Sequence, residues 1–202
     1  MASAPDEYSS FWSWFQFNEA DFPSTDKFDA LFGTELSGRL ADIRSGLTYE
    51  IAIREDGDSE FIISADGIKE LIPFVQELVN SAPALDGWKI IAFRPRQPDY
   101  SDFTLEFAGR NVDPKTLWCR SQVEDGNFDL IVYHPNYSED DRSPIVASTY
   151  ILLDMALGEL DVMTHIRYID HQQLPDDAEL KGLYRFEELR DIFDTYKSTI
   201  TH

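Results

Sequence analysis

The longest strongly apolar stretch of the chain, SPIVASTYILLDMALGEL at 143–160, predicts a helix at the centre of the fold. Ser143 can cap a helix, Pro144 suits its first turn, and Gly158 suits its end. Apolar residues cover most of the circumference of this helix, which is typical of a buried helix rather than a surface one. We therefore expect strands of a sheet to pack against this segment.

Alternation of apolar and polar positions predicts two hairpins elsewhere in the chain. Each hairpin has an Asp-Gly turn signal at its centre, in Glu55–Asp56–Gly57 and in Glu124–Asp125–Gly126. A helix and a further strand follow each hairpin. The predicted segments are 47–54, 60–65, 67–82 and 88–95 in the first set, and 116–123, 127–134, 143–160 and 159–170 in the second.

Because the two sets share order and spacing, 47–95 and 116–170 are interpreted as repeated ββαβ units, with a chance match of two acidic turns as the alternative. The fold class predicted is α+β, with a mostly antiparallel (mixed) sheet and helices packed on it. Since no Gly/Ser-rich linker interrupts the chain, we expect a single domain over 1–202. The remaining predicted elements are helices at 8–20, 25–45 and 184–198, a strand at 103–108 and a turn at 111–114.

The first helix is unusually aromatic, and Phe11, Trp14 and Phe15 share one face of it. This predicts a helix that docks on the core. A partner-binding patch is the alternative, and it would require those rings to be exposed.

Charge narrows the classes of partner. The 202 residues include 38 acidic and 17 basic side chains, a formal net charge of −21. Such a chain is unsuited to binding nucleic acid through phosphates, whereas it suits a basic protein, with solubility as the simpler explanation. No apolar run is long enough for a membrane span, and the polar, acidic first residues argue against a secretory signal. The single cysteine, Cys119, fits a reducing cytoplasm, where we place the protein.

Four residues are candidates for ligand binding. His134 stands where the second hairpin ends, and loops at strand ends often carry function. Arg94 and Arg96 flank Pro95 and could bind an anion, although neutralising nearby carboxylates is the simpler role. Asp154 lies inside the apolar helix and could do acid–base work, although pairing with Arg94 or Arg167 is the simpler role.

The sequence lacks the common motifs of nucleotide-binding proteins, serine hydrolases and metal sites. The sequence has no P-loop, dinucleotide-binding or serine-hydrolase motif and no zinc or calcium signature. His165 and His171 bracket the last predicted strand, too far apart for one metal ion. We expect no cofactor, no metal and no catalytic residue, and we read Cys119 as a small buried thiol.

The chain resembles a bacterial protein family without an assigned function. The resemblance rests on FWSWFQFNE (11–19), FIISADGIKE (61–70), GWKIIAFRPR (87–96) and LLDMALGELD (152–161). It implies no activity, ligand or catalytic residue.

Two functions follow as expectations. The first is an acidic cytoplasmic protein that binds a basic protein, in the manner of immunity, antitoxin or regulatory proteins, without catalysis. The alternative is a small-ligand-binding protein or enzyme with a site at strand ends near Arg94, Arg96, His134 and Asp154. The oligomeric state stays open.

Overall fold

The computed structural model describes residues 6–18, 30–54, 57–102, 104–107 and 109–200. Several predicted features lie outside the described residues, namely Glu55 and Asp56 of the first turn, the start of the second helix with Phe28, and Phe103 and Ala108 of the short strand. The chain divides into two compact units, Met1–Arg94 and Pro95–His202. The single domain over 1–202 stays a prediction.

The first unit holds a three-stranded sheet and three helices. In the sheet order β1-β2-β3, β1 runs antiparallel to β2 and β3 runs parallel to it. A short 3-10 turn at Lys69–Leu71 leads into α3, and Pro73 stands in the first turn of that helix, where a missing N–H costs nothing. The elements are α1 Glu7–Asn18, α2 Ala30–Ile43, β1 Thr48–Ala52, β2 Ser59–Ser64, α3 Ile72–Asn80 and β3 Trp88–Ala92.

Aromatic side chains attach α1 to this sheet. Phe11, Trp12 and Phe15 are buried, and the ring of Phe15 stacks on that of Phe61 in β2 at 4.8 Å between centroids. The indole Nε1 of Trp12 donates to the carbonyl of Leu78 in α3 at 2.9 Å. The docking helix is therefore confirmed, although its buried face includes Trp12, while Trp14 is only half-buried.

The second unit is built on a four-stranded sheet of order β8-β7-β6-β9. β6 runs antiparallel to β7 and to β9, and β8 runs parallel to β7. One face of the sheet shares a hydrophobic core with α4 and α6. The elements are β4 Leu105–Phe107, β5 Arg110–Val112, β6 Trp118–Glu124, β7 Asn127–His134, α4 Arg142–Leu157, α5 Glu159–His165, β8 Ile166–Gln173, β9 Tyr184–Arg185 and α6 Leu189–Ile200.

The apolar helix α4 is buried along one face only. Tyr150 is 41% exposed and Ile151 36% exposed, so the prediction of burial all round was wrong. The sheet covers one side of the helix, and the spacing of the buried positions marks a single stripe. These positions are Ile145, Ser148, Thr149, Leu152, Leu153, Ala156 and Leu157.

Three predicted segments differ from the structure. The helix expected at 184–198 begins at Leu189, since Tyr184–Arg185 form strand β9 and Phe186–Glu188 form a 3-10 turn. The first half of the strand expected at 159–170 is helix α5, because Gly158 takes a φ of +87° and Glu159 and Asp161 suit the first turn of a new helix. The turn expected at 111–114 begins with the last residues of β5, which pairs with β4 in a short hairpin.

Both units contain the same succession of elements. An antiparallel strand pair, a 3-10 turn, a helix and a third strand parallel to the second occur as β1-β2-α3-β3 and again as β6-β7-α4-β8, with α5 added before β8. The ββαβ succession predicted for 47–95 and 116–170 is thus present in each unit. In the described ranges, no helix is both long and apolar enough to cross a membrane.

Candidate functional site

A pair of histidines meets where two parallel strands end. His134 is the last residue of β7, and in β8 His171 lies opposite Val132, two residues before His134. Side chains two residues apart on a strand point to the same face. His134 and His171 are therefore diagonal neighbours on the face that α4 covers, and each is 4% exposed. We call these two residues the His pair.

The contacts of the His pair are close and mutual. His134 Nε2 lies 3.3 Å from His171 Nδ1 and 3.4 Å from Thr149 Oγ1, which α4 contributes. Because Thr149 is one turn after Ile145 on the buried stripe of α4, its side chain points at the sheet.

The proton positions within this group follow from Thr149. Its hydroxyl donates to the carbonyl of Ile145 at 2.8 Å, so toward His134 it can only accept. Thr149 therefore favours the tautomer of His134 that carries its proton on Nε2. The same N–H points at Nδ1 of His171, which acts as an acceptor. A neutral His171 then carries its own proton on Nε2, an atom that is buried without a hydrogen-bond partner among the described residues.

Burial keeps both rings neutral. Burial, together with a smaller contribution from the neighbouring His171, lowers the pKa of His134 to about 3. Burial also lowers the pKa of His171 to about 4, with a smaller contribution from the positive charge of Arg142 and an opposing one from Asp170. A neutral imidazole has one donor and one acceptor, so the pair can order hydrogen bonds without bearing charge.

His134 also lines a surface pocket of about 220 Å³. Polar side chains of several types border it: an imidazole, two amides, a carboxyl and a hydroxyl. The amides of Asn111 and Asn136 have no side-chain hydrogen bond to any other described residue. We call this the His134 pocket, and its lining residues are Gly109, Asn111, Val112, Asp113, Thr116, Leu117, His134, Pro135, Asn136 and Ile145.

The 3-10 turn Pro114–Thr116 forms one wall of the pocket. Asp113 caps this turn, since its Oδ1 accepts from the backbone N–H of Lys115 at 2.9 Å. Thr116 donates its hydroxyl hydrogen to the backbone carbonyl of Asp113 at 2.7 Å. These local bonds hold the carboxyl and the hydroxyl in place at the wall.

The two predicted arginines are engaged with carboxylates. Arg94, in the first unit, contacts Glu50 at 2.5 Å and Asp66 at 3.2 Å. Arg96, in the second unit, contacts Asp194 at 2.8 Å and Asp161 at 3.2 Å, and its Nε donates to the carbonyl of Leu157 at 2.7 Å. The simpler of the two roles considered for these arginines, neutralising nearby carboxylates, is the one these contacts support.

His134 and Arg96 lie apart along α4. His134 contacts Thr149 and Arg96 contacts Leu157, and the rise of a helix over those eight residues is about 12 Å. Asp154 is half-buried on α4, and Arg167 pairs with Asp129 and Glu124 rather than with it. Of the four predicted residues, His134 is the one that lines the pocket.

Sequence reasoning missed His171 as the partner of His134. It compared His171 with His165 along one strand, whereas His165 ends helix α5. The useful signal was the ββαβ pattern itself, since a helical crossover makes 127–134 and the next strand parallel neighbours whose carboxyl ends meet. That pattern would have placed the end of β8 beside His134.

Comparison with known proteins gives no identity. No family model, curated protein or solved structure matches the chain. The resemblance to a bacterial family therefore stays a prediction. Within the part of the chain that the structure describes, no three His, Cys, Asp or Glu side chains converge to hold a metal ion.

Proposed function

We propose that this protein binds a small polar molecule in the His134 pocket. One observation carries the proposal: His134, buried and proton-ordered by His171 and Thr149, lines the same pocket as two asparagine amides that bond to no other described side chain. Ligand sites typically combine a concave shape with a few fixed polar groups. Binding is proposed without a reaction, because the lining residues do not form a nucleophile–base pair.

The size of the pocket limits the ligand. Drug-sized ligands occupy pockets of roughly 300–1,000 Å³. At about 220 Å³ the His134 pocket suits a smaller molecule, or one group of a larger molecule. Its lining also includes Val112, Leu117 and Ile145, which supply apolar contacts beside the polar ones.

The test is a binding screen followed by NMR. Small neutral, cationic and anionic compounds are added to the labelled full chain, and we expect binders to shift the amide resonances of Asn111, Thr116 and Asn136. Asn136→Trp, which fills the pocket from an exposed position, should abolish those shifts. Gln122→Trp, on an exposed site of β6 outside the lining, is the matched control and should retain them. The proposal fails if no compound shifts these resonances, or if Asn136→Trp leaves the shifts unchanged.

A second candidate function rests on charge. A net charge of −21 favours association with a basic protein, because long-range attraction raises the rate of encounter. Recovery of a basic protein from the native host at low salt, and its loss at high salt, would support this role.

A further inference from the structure

The lining of the His134 pocket is rich in acceptors and holds a carboxylate. Asp113 places its Oδ1 on the N–H of Lys115, which leaves Oδ2 without a hydrogen-bond partner among the described residues. The hydroxyl of Thr116 donates to the backbone carbonyl of Asp113, so its oxygen is available to accept a hydrogen bond from a ligand in the pocket. The amide oxygens of Asn111 and Asn136 add two more acceptors.

The described lining of the pocket lacks a cationic side chain. None of the described lining residues is a lysine or an arginine. Lys115, two residues after Asp113, forms an ion pair with Asp102 at 3.2 Å. His134 stays neutral near pH 7, and the chain as a whole repels anions. A phosphate or carboxylate ligand would meet no cationic side chain among the described lining residues and would face the Asp113 carboxylate.

We infer that the His134 pocket recognises a cationic nitrogen group, a guanidinium or an alkylammonium, with Asp113 as its charge partner and the asparagine amides as further acceptors. The inference rests on the proposed function and names the chemistry of its ligand. A planar guanidinium offers five donors in a fixed fork, which suits a wall of several acceptors. The apolar chain beside such a group would lie against Val112, Leu117 and Ile145.

Two sources could supply this group. One is a free small molecule, and the other is an arginine or lysine side chain presented by a basic protein. Both sources carry the cationic nitrogen group that Asp113 would bind, and a peptide probe distinguishes a free small molecule from a protein side chain.

The experiment compares probes that carry a short alkyl chain on a cationic, a neutral or an anionic head group. N-butylguanidinium, its neutral analogue N-butylurea and the anion butanoate are titrated into the full chain by NMR, following the amides of Asn111, Thr116 and Asn136. We expect the cation to bind about tenfold or more tightly than the urea, and butanoate not to bind, because one charge-assisted hydrogen bond accounts for such a factor.

Asp113→Asn is the decisive variant, since asparagine caps a helical turn as well as aspartate does and the fold is retained. It should remove the preference for the cation, so that N-butylguanidinium binds no more tightly than N-butylurea. Asp176→Asn makes the same change of charge at an exposed position outside the lining and should leave the preference intact. A preference that survives Asp113→Asn, or urea and cation binding equally, would overturn the inference.

A short peptide with one central arginine tests whether the ligand is a protein side chain. The same peptide with citrulline in place of arginine is its uncharged control. Tighter binding of the arginine peptide than of N-butylguanidinium indicates a protein partner, and exclusion of the peptide indicates a free small molecule. If the binding screen finds pocket ligands but none is cationic, the inference fails and the proposed function stands. If neither the screen nor these probes shift the pocket resonances, both fail.

Discussion

His171 illustrates how a single buried atom can be costly in this fold. Its Nε2 carries a proton in the arrangement that Thr149 favours, yet that atom has no hydrogen-bond partner in the described chain. A buried donor left without a partner costs roughly 1–3 kcal/mol. Aligning Nδ1 with His134 therefore comes at the expense of stability.

The His pair predicts a loss of stability in mild acid. An unfolded histidine takes up a proton below about pH 6.5, whereas folded His171 stays neutral until about pH 4. The unfolded chain then binds more protons, so the free energy of unfolding falls as the pH drops through that window. We expect His171→Gln to remove about 1–2 kcal/mol of the decrease that the native chain shows between pH 7 and pH 5.

Urea denaturation at both pH values measures this difference. Gln172→Ala, an exposed neighbouring change that adds no titrating group, is the control and should keep the native pH dependence. Parallel pH profiles for the native chain and His171→Gln would contradict the prediction.

At the scale of elements, the end of α4 shows how helix carbonyls are satisfied. Arg190 donates through Nε to the carbonyl of Ala156 at 2.7 Å and through Nη2 to that of Met155 at 3.1 Å, while Arg96 donates to Leu157. The guanidinium of Arg190 also lies 4.2 Å from the ring centroid of Tyr100. Two arginines thus serve the carbonyls that the helix leaves open and complement its negative end.

Arg190→Lys should therefore destabilise the protein although it keeps the charge. A lysine ammonium cannot reach two carbonyls in the fixed fork of a guanidinium or stack in the same way on Tyr100. We expect the free energy of unfolding in urea to fall by about 1–3 kcal/mol. Arg120→Lys, which removes an exposed guanidinium with a hydrogen bond to the carbonyl of Lys181, should change it by less than about 0.5 kcal/mol. Equal effects of the two substitutions would argue against the capping role.

Strands were easier to predict than the helix ends around them. The bounds of β7, Asn127–His134, follow from a run rich in β-branched and aromatic residues between a clear turn and a Pro-Asn loop. In the segment 159–165, the β-branched residues Val162 and Thr164 favoured a strand, but Gly158 allowed a second helix to begin. His134 could be selected from its place at a strand end, whereas Asp113 and Asn111 could not, because the pocket depends on how the β4–β5 hairpin lies against the end of β7.

For the whole molecule, the main feature is the ββαβ succession that occurs in both units. The two copies carry different side chains at the ends of their strands. In the second unit the carboxyl end of β7 carries His134 and borders the pocket. In the first unit the end of β2 is followed by Ala65 and Asp66, and Asp66 pairs with Arg94. The same topology thus holds an ion pair in one copy and a neutral His pair in the other, as expected when function depends on side chains rather than on fold.

The excess of 21 negative charges predicts a salt-dependent stability. Repulsion among like charges destabilises the compact state, and screening weakens it as the Debye length falls from about 30 Å at 0.01 M salt to about 8 Å at 0.15 M. We expect the free energy of unfolding to rise between 10 and 150 mM NaCl at pH 7.5, as measured with urea, an uncharged denaturant. Screening also weakens exposed ion pairs such as Arg39 with Glu35, but each of these contributes less than about 1 kcal/mol.

The matched control is the same titration with Lys181→Glu, which makes the net charge more negative and should steepen the rise. A stability that falls with salt in the native chain would show that the ion pairs outweigh the repulsion, and it would contradict the prediction.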